Sequence, residues 1–198
     1  MIVRIGMAPR AAGLDHEGFA EHWSSEHGDL AAQIPGLRSY VQNHAILRGG
    51  LPLLPDPGFD ACSELEFDSI EAMDSGFASE HYRSTVVADE HSLIDKSRFM
   101  LLLAERDVAV DGAPPEDAVK LLTFLPAGAP TPGSEGAMRH ERLVELLDAH
   151  DGRPRAPFAV VDARWFGTAD EALSVAGAEE PAPGVVRRIA RPVWIVRR

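Results

Sequence analysis

The order of strand-like and helix-like patterns in residues 1–107 is the feature that most constrains the fold. Val3, Ile5 and Met7 occupy alternate positions, which is the two-residue period of a strand with one buried face. The patterns predict, in order, a strand at 2–7, a helix at 15–34, strands at 37–47 and 60–68, helical structure at 69–95, and a strand at 99–105. This β-α-β-β-α-β order is that of a ferredoxin-like unit.

The second half of the chain repeats this order less completely. The patterns predict a strand at 119–125, a Gly/Pro loop at 126–136, a helix at 138–150, a strand at 157–165, a short helix at 168–176 and a strand at 185–196. Pro192 implies a bulge or an edge position in the last strand. Because this half shows one strand fewer than the first, it is either a degenerate repeat or not a repeat.

A ferredoxin-like unit covers only one face of its sheet with helices, so the other face must meet a second layer. Two such sheets within one chain can pack on each other. We therefore predict an α+β fold of two tandem ferredoxin-like repeats that form an intrachain α+β barrel. The predicted boundaries are 1–108 for the first repeat, 109–118 for a linker and 119–198 for the degenerate second repeat.

Composition narrows the functional classes. A net charge of −12 in 198 residues makes nucleic acid an unfavourable partner, since an acidic surface repels phosphates. A single cysteine, Cys62, excludes an internal disulfide and fits a reducing compartment. The chain shows no apolar run long enough for a membrane span, no signal peptide and no nucleotide-binding motif. We expect a cytoplasmic protein without membrane contact.

The predicted helix at 15–34 carries the strongest functional signal. Phe19, Trp23, Leu30 and Ile34 fall on one apolar stripe, and His27 lies in its middle. An imidazole there either lines an interior pocket as a general acid or base, or is a core histidine bonded to a backbone carbonyl. Both interpretations fit the spacing.

The predicted strand at 37–47 has one unusually polar face, which includes Tyr40 and His44. These two residues either bracket a pocket or belong to a hydrogen-bonded layer. Asn43 points to the opposite face. His81 and Tyr82 lie where helical structure is interrupted, so they border a pocket mouth or sit on the surface. The surface is the favoured interpretation.

Other polar groups give weaker signals. His22 and Glu26 have the spacing of a metal-binding pair, but no third ligand is evident, so an exposed pair is favoured and no metal is predicted. Cys62, Glu64 and Glu66 share one face of the strand at 60–68. A solvated edge is the favoured interpretation of that face.

Taken together, these residues resemble the EthD family over residues 1–107. The resemblance is carried by Gly13-Leu14-Asp15-His16-Glu17-Gly18-Phe19, then Trp23 and His27, then Pro35-Gly36-Leu37-Arg38-Ser39-Tyr40-Val41-Gln42-Asn43, and later Ala88-Asp89-Glu90 with Asp95 and Phe99. The second half shows no such motif. His22 stands where a tyrosine is common in the family.

The resemblance implies a dimeric α+β barrel with a pocket between sheet and helices. Relatives include an accessory protein of ether degradation, lactone isomerases, aromatic polyketide cyclases and decarboxylating enzymes, which typically work without a metal or organic cofactor. The family pattern makes the helix histidine, here His27, a candidate for proton transfer. We expect one working pocket, in the first half.

Three functions remain open at this point. The first is a cofactor-independent lyase, isomerase or cyclase that acts on an aromatic, polyketide-like or lactone molecule. The second is a non-catalytic ligand-binding or accessory protein, and the third a cofactor-free or haem-dependent oxygenase. The expected assembly is a monomer or homodimer. The candidate catalytic residues are His27, Tyr40 and His44, and the candidate substrate-binding residues are Trp23, Asn43, His81 and Phe19.

Overall fold

The computed structural model describes residues 1–147 and 152–197. Its centre is a closed barrel of eight antiparallel strands in the order β1-β5-β2-β10-β7-β9-β8-β6. The barrel strands are β1 (Ile2–Ala8), β2 (Ser39–Ala45), β5 (Ala61–Phe67), β6 (Met100–Val110), β7 (Val119–Leu125), β8 (Arg139–Glu145), β9 (Val160–Phe166) and β10 (Val186–Arg197). A small hairpin of β3 (Leu47–Arg48) and β4 (Leu51–Pro52) lies outside it.

The predicted mixed α+β class is confirmed. Within the barrel, β6-β1-β5-β2 and β10-β7-β9-β8 are neighbours in matching order, and the halves join through the pairs β2–β10 and β6–β8. This match is compatible with two ferredoxin-like repeats. The repeat interpretation and the boundaries 1–108, 109–118 and 119–198 stay predictions.

The helix predicted at 138–150 is wrong over its described part, because Arg139–Glu145 form β8. Strand β8 pairs with β6 on one side and β9 on the other, so its backbone groups find partners in the barrel. Leu143 is fully buried, whereas Val144 and Leu147 are 41% and 64% exposed. The apolar spacing therefore did not mark a buried helical face. Residues 148–150 of that prediction lie outside the described residues.

The described part of the second half therefore contributes four strands to the barrel, as many as the first half. The prediction that the second half has one strand fewer is also wrong. What this half lacks, relative to the first, is a helix between its first two strands. The Gly/Pro loop predicted at 126–136 occupies that connection. Helix α5 (Ala169–Ala178) covers the outer face near β7, β9 and β10.

Helices of the first half cover the outer face of β1, β5 and β2. They are α1 (His16–His22), α2 (Gly28–Ala31), α3 (Ile70–Ala78) and α4 (Val87–Leu93), with π-helical turns at Trp23–His27 and Tyr82–Val86 and a 3₁₀ turn at Lys96–Arg98. Asp15 caps α1, since its Oδ1 accepts from the Gly18 N–H at 2.8 Å. None of the helices in the described residues is long and apolar enough to span a membrane.

The period of β1 decides what faces each side of the barrel wall. Val3, Ile5 and Met7 enter the apolar barrel interior. Arg4 and Gly6 point outward, under the helices of the first half. One strand thus supplies both the barrel core and the floor of the space under the helices.

The barrel interior also holds a charged network, which corrects the solvated-edge interpretation of Glu64. Glu64 is 3% exposed, and its Oε1 accepts from Lys120 Nζ at 2.7 Å and from Asn43 Nδ2 at 2.8 Å. Arg106 bonds Glu66 at 2.6 Å and also pairs with Glu141. The inner face of β5 is buried because the closed barrel brings strands of the second half opposite it.

Pro192 follows the predicted rule for strand prolines. The pairing of β10 with β7 ends at Ala190, whereas its pairing with β2 continues beyond, with Pro192 opposite Asn43. A register shift follows between Trp194 and Val196. Because β10 is paired on one side only at Pro192, the missing N–H interrupts no ladder to β7.

Candidate functional site

A small cavity of about 50 Å³ lies between the outer face of β1, β2 and β5 and the helices of the first half. Both π-helical turns contribute to it, which fits the frequent occurrence of such turns at functional sites. Its polar lining residues are Arg4, His27, Tyr40, Ser63, Tyr82 and Glu90. Its larger apolar lining residues are Trp23, Ile34, Leu65, Phe77, Val86, Leu93, Ile94 and Phe99.

Asp89, on α4, holds two histidines of the first helical segment. Its Oδ2 lies 2.7 Å from His27 Nδ1 and its Oδ1 lies 2.6 Å from His22 Nε2. The Asp89 side chain is 8% exposed and that of His27 is 11% exposed. His27 is therefore bonded to a carboxylate, and the alternative of a backbone carbonyl partner does not describe it.

This arrangement sets the proton positions on His27. An ionised carboxylate only accepts hydrogen bonds, so Nδ1 of His27 carries the hydrogen. Among the described residues, Nε2 of His27 has no hydrogen bond, and the ring lines the cavity. A neutral His27 therefore presents a bare ring nitrogen to the cavity, oriented by Asp89 as in other carboxylate–histidine pairs.

Histidine 140 provides a contrast in the second half. His140 is fully buried, with Nε2 2.6 Å from Asp162 Oδ2 and Nδ1 2.6 Å from Ser134 Oγ. Both of its ring nitrogens are thus held by protein groups. This pair stabilises the connection at 126–136, whereas His27 keeps one nitrogen available.

Tyr40 contributes a neutral hydroxyl to the cavity. Burial raises the pKa of the Tyr40 phenol, and the hydrogen bonds with Gln42 and Trp23 only partly oppose this. The Tyr40 oxygen accepts from Gln42 Nε2 at 2.9 Å, and its own proton has no acceptor among the described residues. A phenol that stays protonated can donate to a carbonyl or enolate oxygen in the cavity.

His44 lies behind Tyr40 in the same hydrogen-bonded layer. Its Nε2 donates to Gln42 Oε1 at 2.8 Å, and its ring stacks on Trp23 with centroids 4.6 Å apart. Burial, with a smaller effect of Arg188, lowers the pKa of His44 to about 4. A neutral His44 therefore fixes the orientation of Gln42, and through it that of Tyr40.

Glu90 also lines the cavity, but its charge is matched by the protein. Lys96 Nζ pairs with Glu90 Oε2, and the Tyr82 hydroxyl donates to Glu90 Oε1 at 3.1 Å. Burial, together with the Glu90 charge, raises the pKa of Tyr82. Tyr82 therefore stays protonated and holds Glu90 in place.

Not all predicted site residues meet in this cavity. Trp23, His27 and Tyr40 line it. Phe19 and His44 line a neighbouring hollow of about 20 Å³. Two predicted residues lie elsewhere: Asn43 is inside the barrel, and His81 is bonded to Leu30 O at 2.8 Å.

Sequence reasoning missed Arg4, Asp89 and Glu90 as site residues, and it placed Tyr82 either at a pocket mouth or on the surface. Asp89 and Glu90 were part of the resemblance motif, which was the only sequence signal for them. Asp89 lies 62 positions from His27, and no local spacing reveals such a partner. Among the described residues, no group of three His, Cys, Asp or Glu side chains is arranged to hold a metal ion.

Residues 11–97 match the family model of the EthD domain. The match lies entirely in the first half and confirms the resemblance and its restriction to that half. It covers less than half of the 198 residues. No curated protein matches the sequence significantly.

Two of the matching solved structures share the fold over nearly the whole chain. A protein from Lactobacillus acidophilus NCFM, provisionally assigned as a monooxygenase, has a TM-score of 0.52 and 13% identity, and the match covers 98% of this chain and 94% of that chain. A second provisionally assigned monooxygenase, from Fusobacterium nucleatum, has a TM-score of 0.58 and 8% identity, with coverage of 96% and 90%. An ethyl tert-butyl ether (EthD) family protein from Bacillus halodurans C-125 has a TM-score of 0.42 and 19% identity, with coverage of 53% and 97%.

Proposed function

We propose that this protein is a cofactor-independent enzyme that moves a proton on a small enolisable or phenolic molecule. The substrate class is aromatic, polyketide-like or lactone, and the reaction is of the lyase, isomerase or cyclase type. The observation that carries the proposal is that His27 lines the cavity with Asp89 bonded to its Nδ1, while its Nε2 has no hydrogen bond among the described residues. His27 acts as the base and Asp89 as its positioning residue.

The proposed chemistry follows from these two protonation states. His27 Nε2 removes a proton from a carbon next to a carbonyl group, or from a phenol, and the imidazolium that forms is stabilised by Asp89. Tyr40 donates to the oxygen on which negative charge develops. Return of the proton from His27 to a different atom of the substrate completes an isomerisation or cyclisation.

The cavity is too small to admit an aromatic substrate in the conformation described. A volume of about 50 Å³ has room for roughly four water molecules and is well below the roughly 300 Å³ of a small ligand pocket. An aromatic substrate therefore needs the walls to move. Phe77, Tyr82 and Phe99 keep partial solvent exposure, so we propose that this side of the cavity opens.

Hydrogen–deuterium exchange tests the proposal without knowledge of the final product. Enolisable lactones and phenolic ketones are incubated with the protein in D₂O, and loss of the carbon-bound proton is followed by NMR. The proposal predicts catalysed exchange for at least one compound. His27→Ala should slow that exchange about 10²- to 10⁴-fold, the usual contribution of a general base.

His91→Ala is the matched control, since His91 is an exposed histidine of α4 and should leave exchange unchanged. Equal exchange in wild type and His27→Ala would remove the assigned role of His27. Tight binding of a compound without any exchange over hours would instead favour a ligand-binding or accessory protein.

An oxygenase is the second candidate. It is suggested by the shared fold with two proteins provisionally assigned as monooxygenases, at 13% and 8% identity. The same deprotonation would yield a substrate anion whose electrons reduce O₂ directly. Consumption of O₂ in the exchange assay, dependent on His27, would favour it, whereas exchange at an unchanged O₂ level would favour the isomerase or lyase class.

A further inference from the structure

Arg4 is a cavity-lining cation whose charge is not directly paired by any of the described residues. Among residues 1–147 and 152–197, its guanidinium makes no hydrogen bond and no ion pair, and its recorded contacts are with aromatic rings. The nearby Glu90 is already paired with Lys96 and bonded by Tyr82. Asp89 is likewise occupied, by two histidines.

The surroundings of Arg4 make this unusual. Its guanidinium carbon lies 4.2 Å from the centroid of the Phe77 ring and 5.3 Å from that of Phe99. The pKa of Arg4 is lowered, mainly by burial and to a smaller extent by the charge of Arg153. The opposite effect of the nearby Tyr82, Glu90 and Tyr40 does not compensate for this. Arg4 is partly shielded from water, and a cation in such a position without a partner is costly for the folded protein. Such a cost is expected where a ligand supplies the partner.

We propose that Arg4 binds a carboxylate of the substrate, so that the molecule on which His27 acts is a small planar acid. This inference rests on the proposed proton-transfer function and names its substrate class. The contacts of the guanidinium are with the Phe77 and Phe99 rings, and none of its N–H groups donates to another described residue. A carboxylate matches a guanidinium edge with two parallel hydrogen bonds.

Gly6 keeps room at this position. A Cβ atom at Gly6 would lie 3.2 Å from an Arg4 guanidinium nitrogen, 3.3 Å from the Phe99 ring and 2.9 Å from Ser63 Oγ. Any larger residue would crowd the Arg4 guanidinium from the β1 floor. Arg4 and Gly6 are outward-facing neighbours on β1, so one strand provides both the cation and the space beside it.

Binding of matched acids and amides tests the inference directly. Propionate, 2-furoate and benzoate are compared with propionamide, 2-furamide and benzamide by NMR titration of the full-length protein at neutral pH. At least one acid should bind about tenfold or more tightly than its amide, the effect of about 1.4 kcal/mol. The Arg4 Nε–H signal should shift during that titration.

Three variants localise the effect. Arg4→Met should abolish the preference for acid over amide, whereas Arg83→Met, which removes an exposed arginine from the neighbouring π-helical turn, should retain it. Arg4→Lys keeps the charge but loses the pair of parallel N–H donors of the guanidinium. Its ratio of acid affinity to amide affinity should therefore lie between one and the wild-type ratio. If Arg4→Met does not fold, the acid preference of the wild type and its reduction in Arg4→Lys still test whether Arg4 binds the carboxylate.

Equal binding of acid and amide in wild type, no binding of any acid, or a preference that survives in Arg4→Met would each overturn the inference. The outcome is separable from that of the proposed function, because binding is measured without turnover. A preference that persists in His27→Ala while exchange fails in wild type would keep the carboxylate site and remove the enzyme proposal. Exchange that depends on His27 but occurs only with neutral compounds would keep the enzyme proposal and remove the carboxylate site.

Discussion

At the residue scale, the Asp89 carboxylate orients two imidazole rings at once. One oxygen accepts from His22 at 2.6 Å and the other from His27 at 2.7 Å. The tautomer of His27, and hence the free nitrogen in the cavity, depends on this acceptor. Asp89 does not line the cavity itself, so its influence on a substrate acts through His27.

Asp89→Asn should lower kcat for the exchange reaction by about 10- to 100-fold with little change in KM, because the amide can still bond the ring but no longer requires one tautomer. The measurement is the exchange rate as a function of substrate concentration. Asp29→Asn, which changes an exposed carboxylate after the first π-helical turn, is the control. An unchanged kcat in Asp89→Asn would show that His27 does not depend on this partner.

At the element scale, the π-helical turn at Trp23–His27 keeps the stripe of the first helical segment aligned. In a regular α-helix, residues four apart drift by about 40° around the axis. The wider turn absorbs part of that drift, and Trp23, His27, Ala31 and Ile34 all line the cavity. Leu30, which the regular projection placed on the stripe, is only partly buried.

Close packing of the helical layer gives a prediction for Gly76 in α3. A Cβ atom there would lie 2.5 Å from Pro35 O and 3.1 Å from Ile34 Cγ2. Because the nearer atom belongs to the backbone, Gly76→Ala should reduce the free energy of unfolding by about 1–3 kcal/mol. Urea denaturation monitored by circular dichroism measures the change.

Gly177→Ala in α5 is the matched control for Gly76→Ala. A Cβ atom at Gly177 would have no atom within 4 Å, so this variant should gain roughly 0.5–1 kcal/mol from the better helix propensity of alanine. Similar stabilisation by both variants would mean that α3 does not pack against the 34–35 segment as described.

At the scale of the whole molecule, the two halves share one barrel. Strand pairs β2–β10 and β6–β8 join them, and the Glu64–Lys120 ion pair links them in the interior. Thermal unfolding should therefore be a single cooperative transition, with coincident midpoints for fluorescence and circular dichroism. Two separated transitions would contradict an interlocked barrel and indicate that the halves are independent domains.

The interior charges predict a loss of stability in acid. Burial alone would raise the pKa of Glu64, but the charges of Lys120 and Arg106 outweigh it and lower the pKa to about 2. Since the unfolded chain binds this proton near pH 4.5, the stabilising contribution is complete above pH 4.5 and is lost as the pH falls to about 2. Its size is roughly 3 kcal/mol. His44, with its pKa lowered to about 4, loses its contribution between pH 6.5 and about 4.

Urea denaturation at a series of pH values between 7 and 2.5 checks this prediction. Glu64→Gln should cost roughly 3–5 kcal/mol at pH 7, because it leaves Lys120 buried without its partner, and should flatten the pH dependence below 4.5. Glu17→Gln, at an exposed carboxylate of α1, should change neither. If the stability of Glu64→Gln falls with pH as that of the wild type does, Glu64 is not the cause of the acid destabilisation.

Local patterns were sufficient to predict the α+β class, most strands, the capped first helix and the inward side of that helix, which carries Trp23 and His27. Periods of two and 3.6 residues report which face of an element is buried, and Asp15 is a local cap. The same patterns failed for β8, because both its edges are paired within the barrel while Val144 and the flanking Met138 and Leu147 stay exposed.

Only the tertiary structure decided which polar groups meet. Asp89 reaches His27 across 62 positions, and Glu64 meets Lys120 across 56, because packing of α4 on the first helical segment and closure of the barrel bring them together. Alternation along β2 assigned Tyr40 and His44 to one face, but the depth of the helical layer puts one in the cavity and the other behind it. The sequence identified Arg4 only as a strand residue, because its contacts with Phe77 and Phe99 depend on how distant segments pack. Sequence periodicity determines the face a side chain takes, whereas its partners depend on how distant elements pack.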